Sequence, residues 1–336
     1  MILLDRHPEA ASAALADPFA RRIRYLRVSV TDRCDLRCVY CMSARMRFAP
    51  DTLALADLHR LCEAFIDLGV SKIRLTGGEP LLRRGLIAFA RRLGERLGRG
   101  LEELTLTTNG SELSRHAADL AALGMRRINV SLDSLDAHTF ARITRGGDLA
   151  KVLQGLEAAQ AVGLAVKLNV VALKNHNAAE IPAIIAWGHA RGMDVSLIEV
   201  MPMGETGEDR RAQFLSLGTV RAELAQRWRL TPIPLDTGGP SRYVRVAETG
   251  GRLGFITPLS HRFCESCNRV RLAANGKLHL CLGQTAGADL GAVLQSGEDI
   301  KAAIRAAIGL KPERHDFTEA RLDRPALARR MSETGG

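Results

Sequence analysis

Short runs of apolar and β-branched residues alternate with helical patterns of hydrophobic positions between residue 23 and about residue 200. Such runs predict six strands, at 23–30, 72–78, 103–110, 126–133, 165–173 and 195–202. The amphipathic stretches between them predict helices near 54–69, 83–98, 111–123, 149–162 and 179–191. Several of these helices end in a glycine just before the next strand, as expected where a C-cap glycine releases the chain.

This alternation predicts parallel strands joined by crossover helices. Six units are too few for a closed eight-stranded barrel, so the pattern favours an α/β fold with a partial (β/α)6 TIM-like barrel; a doubly wound sheet fits less well. In both folds, ligands gather at the carboxyl ends of the strands, which predicts one large active site there. The unusual motifs occupy those ends: CDLRCVYC (34–41), TGGEP (76–80), TTNG (107–110), SLDS (131–134), Asn169 and EVMP (199–202).

The alternation weakens after about residue 205, where a helix is predicted at 216–230, followed by a connection rich in proline and glycine. We therefore expect two domains, a barrel over 1–230 and a smaller C-terminal domain over 231–336. In the second, NRVRLAANGKLHL (268–280) predicts a hairpin that turns at its Asn-Gly pair. That hairpin would return Cys281 to the side of Cys267.

The composition is that of a globular protein, with 46% hydrophobic residues among 336 and no apolar run long enough to span a membrane. The N-terminal segment is too acidic for a signal peptide, so a cytoplasmic location is expected. The formal net charge of +10 at pH 7 indicates an anionic partner. Nucleic acid is disfavoured because only 4% of residues are aromatic, whereas a polyphosphate ligand would account for arginines at strand ends.

Seven cysteines are present, and this odd number argues against a disulfide framework. Cys62 follows helical hydrophobic spacing and is predicted to lie in the core. Cys34, Cys38 and Cys41 form a compact triplet without a nearby fourth ligand, and Met42 stands where a c-type haem site would need histidine. Three thiolates in one loop favour an iron–sulfur cubane with one open iron, where an exchangeable ligand would bind.

Cys264, Cys267 and Cys281 form a second triplet. A structural zinc site completed by His261 or His279 is an alternative here, because C-x2-C is a common zinc spacing. If the triplet instead holds a second cluster, its open iron is flanked by Arg269 and Arg271, which alternate onto one face of a strand. Such a site suits an anionic or heteroaromatic ligand.

The first triplet, with Tyr40 before its last cysteine, and the TGGEP segment together resemble the radical S-adenosylmethionine (SAM) enzymes. From about residue 18 to the terminal glycines, the chain resembles the GTP 3′,8-cyclase family of molybdenum cofactor biosynthesis. The resemblance implies two 4Fe–4S clusters, one cleaving SAM reductively to a 5′-deoxyadenosyl radical and one binding the guanine of GTP. Hydrogen abstraction from ribose C3′ and attack on guanine C8 would give (8S)-3′,8-cyclo-7,8-dihydroguanosine 5′-triphosphate.

The same resemblance implies roles for individual residues. The expected SAM contacts are Tyr40, Gly78, Glu79, Ser131 and Met201. The expected GTP contacts are Arg27, Arg74, Thr107, Lys167, Arg269 and Arg271. Gly335 and Gly336 would form a catalytic tail that supports SAM cleavage. The implied partners are an electron donor of flavodoxin or ferredoxin type, a downstream cyclic pyranopterin monophosphate synthase and a second copy of the chain in a homodimer.

One position departs from the family pattern. Ser196 stands where the family usually has arginine, and serine supplies neither the charge nor the fork of donors. Arg191 is a candidate to compensate. Three other interpretations remain: a radical SAM enzyme with a different substrate, a zinc-bearing nucleic-acid-binding module, and an iron–sulfur sensor or carrier.

Overall fold

The computed structural model describes residues 14–48, 53–325 and 327–335 of the chain. Gly336 and the first 13 residues of the expected barrel domain lie outside these ranges. Within them, twelve strands form one sheet, and most of the helices cover one of its faces. In this part of the chain, no helix combines the length and apolarity that crossing a membrane requires.

The first half of the chain follows the predicted alternation. Its strands are β1 (Tyr25–Ser29), β2 (Lys72–Thr76), β3 (Glu103–Thr108), β4 (Arg127–Ser131), β5 (Ala165–Ala172) and β6 (Asp194–Glu199). Its helices are α1 (Leu55–Asp67), α2 (Leu86–Gly94), α3 (Leu113–Ala122), α4 (Ala137–Thr144), α5 (Leu149–Ala161) and α6 (Ile181–Ala190). All six predicted strands and all five predicted helices are confirmed. Helix α4 was not predicted; its N-cap is Asp136, whose carboxylate accepts a hydrogen bond from the Thr139 amide at 2.8 Å.

The second half contains shorter elements. Its strands are β7 (Leu230–Ile233), β8 (Arg242–Val246), β9 (Arg252–Ile256), β10 (Arg269–Leu272), β11 (Lys277–His279) and β12 (Gly287–Asp289). Its helices are α7 (Arg210–Gln213), α8 (Leu217–Ala225), α9 (Leu290–Ser296), α10 (Ile300–Ile308) and α11 (Met331–Thr334). The hairpin predicted at the Asn-Gly pair is confirmed, since β10 and β11 pair antiparallel with Arg271 opposite His279.

The sheet has the order β12-β11-β10-β1-β2-β3-β4-β5-β6-β9-β8-β7. Strands β1 to β6 are parallel, and β10 and β9 add parallel neighbours at the two sides, against β1 and β6. The fold is therefore α/β with one large, mainly parallel sheet. The sheet extends across the predicted boundary at residue 230, and the division into two domains stays a prediction.

The core lies between the sheet and its helices. Because alternate residues of a strand face opposite sides, Leu26 and Val28 of β1 enter this apolar core whereas Arg27 faces the other side of the sheet. Cys62 is fully buried in the same core, which confirms its predicted position. The polar face that carries Arg27 surrounds the site described next.

Candidate active site

Two adjoining cavities lie on the polar face of the sheet. The first cavity, of about 150 Å³, is lined by all three cysteines of the first triplet. The second cavity, of about 140 Å³, is lined by all three cysteines of the second triplet. The two cavities share wall residues, so a molecule in one lies next to a molecule in the other. The shared residues are Asn169, Ile198, Met201 and Met331.

Close backbone approach holds the cysteine loop against the TGGEP loop. The amide of Gly78 donates to the Thr31 carbonyl at 2.9 Å, and the amide of Glu79 donates to the Arg33 carbonyl at 2.7 Å. A Cβ atom on Gly78 would lie 2.3 Å from the Arg33 carbonyl oxygen. Only glycine allows the two loops to meet in this way, which explains the glycine at this position.

Glu79 is fully buried, and its carboxylate connects its own loop to the TTNG segment after β3. It accepts hydrogen bonds from the Leu81 amide at 3.0 Å, the Thr108 hydroxyl at 2.7 Å and the Asn109 amide at 2.6 Å. Burial raises the pKa of Glu79 to about 7, although these hydrogen bonds oppose the shift. The carboxylate lies behind the lining of the first cavity, so its contact with SAM stays a prediction.

Tyr40 lines the first cavity, and a residue that the sequence analysis did not assign fixes its side chain. The Tyr40 hydroxyl donates to Asp133 Oδ2 at 2.7 Å, and the Val171 amide donates to Asp133 Oδ1 at 2.8 Å. Burial raises the pKa of Asp133 to about 6. The available signal was Asp133 itself, an acidic residue in the SLDS motif at the end of β4.

The protonation and arrangement of the thiols in the first triplet are compatible with ligands of an iron–sulfur cluster. Burial raises the pKa of Cys38 well above its usual value and raises that of Cys41 to about 11, so the free thiols stay protonated until a metal displaces their protons. Among the residues that the structure describes, no three His, Cys, Asp or Glu side chains surround a single-ion position. Each thiolate of a cubane binds a different iron, so its ligands surround a cluster and not one point.

Cations surround the second triplet. Although burial opposes ionisation of Cys267, Arg269 and Lys311 lower its pKa to about 7. Lys311 is 2% exposed, and its Nζ lies 3.7 Å from Cys267 Sγ and 2.7 Å from the Leu280 carbonyl oxygen. The sequence analysis did not assign Lys311, because nothing near it in the chain indicates that it reaches a cysteine.

The histidines proposed for a zinc site at the second triplet do not complete one. His261 lines a separate surface cleft together with Pro232 and Arg242, and is not part of the second cavity. His279 lines the second cavity, but its Nδ1 lies 2.7 Å from the guanidinium of Arg329. Burial and Arg329 lower the pKa of His279 to about 3.

Five of the six predicted GTP contacts line the second cavity: Arg27, Arg74, Lys167, Arg269 and Arg271. Burial, reinforced by Arg74, lowers the pKa of Lys167 to about 7. Thr107 differs, because it lines the first cavity and not the second. The predicted SAM contacts Tyr40, Gly78, Ser131 and Met201 all line the first cavity, as the prediction requires.

The C-terminal segment closes over both cavities. Met331 lines both of them, and Ser332 lines the first. Arg271 donates a hydrogen bond to the Thr334 carbonyl oxygen at 3.2 Å and another to that of Gly335. Gly335 has φ +75°, and a Cβ there would lie 1.8 Å from the Thr76 hydroxyl oxygen. The tail therefore ends inside the site as far as the described residues extend, and Gly336 follows outside them.

The suggestion that Arg191 compensates for Ser196 is wrong. Arg191 is exposed after α6, where its guanidinium stacks 4.3 Å above the Trp187 ring and donates to the Trp187 carbonyl. Ser196 is fully buried, with its hydroxyl 3.3 Å from that of Ser241. A Cβ on the adjacent Gly254 would lie 2.1 Å from the Ser241 hydroxyl oxygen. Small residues at these positions let the 237–241 segment occupy the space beside β6.

Comparisons with known proteins agree with this geometry. The model of the Radical SAM superfamily matches residues 28–188, and the Molybdenum Cofactor Synthesis C model matches residues 193–317. A GTP 3′,8-cyclase of Rhizobium leguminosarum bv. trifolii is 58% identical over 342 residues, which cover 100% of this chain and 97% of the relative. A GTP 3′,8-cyclase of Caulobacter vibrioides is 57% identical, covering 98% of this chain and 96% of the relative.

Solved structures resemble the fold at lower identity. The crystal structure of Streptococcus suis SuiB bound to S-adenosylmethionine has a TM-score of 0.59 and 17% identity, covering 84% of this chain and 68% of SuiB. At this identity the likeness shows the fold alone. The full-length identity to the curated relatives is decisive, and the chain belongs to the GTP 3′,8-cyclase family of radical SAM enzymes.

Proposed function

We propose that this protein converts GTP to (8S)-3′,8-cyclo-7,8-dihydroguanosine 5′-triphosphate in molybdenum cofactor biosynthesis. One observation supports this most: two cysteine triplets line adjoining cavities, and the second cavity also carries five cationic side chains. The first arrangement suits a cofactor at an open iron, and the second suits a polyanionic nucleotide. The proposal places the two cavities within a partial (β/α)6 barrel, with residues 231–336 forming a smaller iron–sulfur domain.

In this proposal, Cys34, Cys38 and Cys41 hold one 4Fe–4S cluster with SAM, and Cys264, Cys267 and Cys281 hold a second. When bound, the first cluster and SAM supply a 5′-deoxyadenosyl radical. The residues of this chain supply binding, orientation and exclusion of water. Tyr40, held by Asp133, fixes the wall of the first cavity, while Met331 and the buried Ser332 line the same cavity from the C-terminal segment.

The cations of the second cavity hold the nucleotide. Arg27, Arg74 and Lys167 suit the triphosphate, because charge-assisted hydrogen bonds to phosphate are strong in a buried site. Arg269 and Arg271 lie beside the second triplet, where the guanine is placed. The shared wall would bring ribose C3′ toward the first cavity, where a hydrogen atom would pass from C3′ to the 5′-deoxyadenosyl radical to give 5′-deoxyadenosine. The C3′ radical would then bond to guanine C8, and one electron from the donor with one proton would complete the product.

The remaining partners belong to the same proposal. An electron donor of flavodoxin or ferredoxin type supplies electrons, and a cyclic pyranopterin monophosphate synthase receives the product. The protein works in the cytoplasm as a homodimer. The anionic partner indicated by the net charge of +10 is then a polyphosphate and not a nucleic acid.

Anaerobic reconstitution tests the proposal. We expect about eight irons per chain, and release of 5′-deoxyadenosine with a cyclised nucleotide when SAM, dithionite and GTP are supplied. ATP in place of GTP should give no cyclised product. A different iron content, or SAM cleavage without conversion of GTP, would overturn the proposal.

Cysteine variants separate the two clusters. Replacing Cys264, Cys267 and Cys281 by alanine should leave about four irons and SAM binding, but no cyclised product. Cys62→Ala is the matched control, because Cys62 is buried in the apolar core away from both triplets. It should keep the full iron content.

A further inference from the structure

Asn129 is a buried polar side chain without a partner. It is 1% exposed, lies on β4 and lines the second cavity. Neither its amide nitrogen nor its amide oxygen has a hydrogen-bond partner. A buried amide without partners is costly, and it is retained where a ligand satisfies it. Asn129 therefore indicates a ligand group that both accepts and donates a hydrogen bond.

The position of Asn129 limits which group of the ligand can bond to its amide. It pairs in register with Lys167 on β5, so it lies next to the cations that suit the triphosphate. Ser131, two residues further along the same strand, lines the first cavity. Two residues of a strand span about 7 Å, so Asn129 lies close to the boundary between the two cavities.

Two parts of the nucleotide, the phosphates and the guanine, are excluded as the hydrogen-bond partner of Asn129. Phosphate oxygens only accept hydrogen bonds at neutral pH and are matched by the cations, so they do not need an amide oxygen. The guanine is placed at the second triplet, which flanks β10, and β10 lies four strands from β4 in the sheet. The remaining part of the nucleotide is the ribose, whose hydroxyls both donate and accept.

We propose that Asn129 binds a ribose hydroxyl of the substrate and thereby fixes ribose C3′ at the boundary with the first cavity. The inference rests on the proposed function, because it requires a ribonucleotide in the second cavity. Asn129 is then a substrate-binding residue that determines which hydrogen of the ribose faces the first cavity.

The inference is tested by comparing GTP with its deoxy analogues in the wild-type protein and in an Asn129 variant. Wild-type protein and Asn129→Ala, both reconstituted, would be assayed with GTP, 2′-deoxy-GTP and 3′-deoxy-GTP for dissociation constant, turnover and the ratio of 5′-deoxyadenosine to product. Asn129→Ala should lower kcat/KM for GTP by roughly 10- to 100-fold. For the deoxynucleotide that lacks the bound hydroxyl, the same substitution should change kcat/KM by less than about threefold, because that hydrogen bond is already absent.

Two further variants guard against a folding defect. Asn129→Ser keeps a short polar group and should recover part of the loss. Asn175→Ala removes an exposed asparagine that donates to the Ala212 carbonyl outside both cavities, and should leave every constant unchanged. Iron content and SAM binding would be measured for each variant.

The outcomes distinguish this inference from the proposed function. An equal loss with all three nucleotides, in an otherwise active protein, would overturn the role of Asn129 alone. If wild-type protein binds GTP without turning it over, the proposed function fails, and the dissociation constants still test Asn129. If the wild type binds none of the nucleotides, both proposals fail.

Discussion

Arg271, which lines the second cavity, donates a hydrogen bond at 3.2 Å to the main-chain oxygen of Thr334 near the C-terminus. A second bond goes to the Gly335 oxygen. The Thr334–Gly335 segment is thus held by an arginine that also lines the second cavity. Its position couples the tail to whatever occupies that cavity.

Gly335→Ala should therefore reduce GTP-dependent release of 5′-deoxyadenosine. An alanine Cβ would overlap the Thr76 hydroxyl, so the tail must shift, and displacement of a positioned group can reduce the rate by roughly 10- to 100-fold. Gly297→Ala is the matched control, because Gly297 has φ +77° but no atom within 4 Å of the added Cβ. The measurement is product formation at equal iron content. Equal activity of the two variants would contradict a functional role for the tail.

Glu79→Gln should destabilise the fold by about 1–3 kcal/mol. Both oxygens of the Glu79 carboxylate accept hydrogen bonds, and in glutamine one of these oxygens is replaced by an NH2 group, which cannot accept. The effect should depend on pH. The pKa of Glu79 is raised from 4.5 to about 7, so the folded protein binds this proton more tightly than the unfolded chain does. Stability from the protonated carboxyl is fully present below pH 4.5 and is lost as pH rises through 7.

Denaturant unfolding at about pH 5 and about pH 8 would test this linkage. The advantage of wild type over Glu79→Gln should be larger at the lower pH. The exposed Glu157 provides the control Glu157→Gln, whose free energy of unfolding should stay close to that of the wild type. An advantage that grows with pH would contradict the raised pKa.

Lys167 should make GTP binding depend on pH. Its pKa is lowered to about 7 in the free protein, and an adjacent phosphate would favour the charged amine and raise that pKa. GTP binding should therefore take up protons near pH 8, and affinity should fall by up to roughly tenfold per pH unit above 7. Calorimetry in buffers of different ionisation enthalpy measures the uptake. Lys167→Arg, which stays charged, should remove this dependence; an unchanged proton uptake would contradict the assignment.

The sequence predicted what depends on local pattern. The first six strands and the helices between them were recognisable because period-two and helical spacing are local properties, and the hairpin at Gly276 followed from its Asn-Gly pair. Pairings across the sheet leave no such local pattern. The positions of β9 and β10 beside β6 and β1 could not be predicted for that reason. These two strands place the second triplet next to the barrel motifs.

Contacts between side chains that are far apart in the chain also could not be predicted from the sequence. Tyr40 and Asp133 are 93 residues apart in the chain, so their hydrogen bond becomes visible only when β4 and the cysteine loop meet. Thr107 lines the first cavity whereas the other predicted GTP contacts line the second, because positions on one sheet face can border different parts of one continuous site. Arg191 failed as a compensating residue because it lies after α6, at the amino-terminal end of the strand that follows it.

Under the proposed function, Lys311 should raise the reduction potential of the second cluster. Its ammonium lies 3.7 Å from Cys267 Sγ in a buried position, where a positive charge stabilises the reduced, more negative cluster. Lys311→Met removes the charge while keeping a long side chain. The reduction potential of the second cluster should then fall by roughly 30–60 mV, a threefold to tenfold change in the equilibrium constant of a one-electron couple.

Potentiometric titration followed by electron paramagnetic resonance measures this shift, and the first cluster serves as an internal reference within the same sample. Lys301→Met is the matched control, because Lys301 is half exposed and pairs with Asp67 at 2.9 Å on the surface. If both clusters shift equally, or if the second cluster keeps its potential at full iron content, the charge of Lys311 does not act on Cys267. A shift confined to the second cluster would show that Lys311 acts on that cluster through its electrostatics.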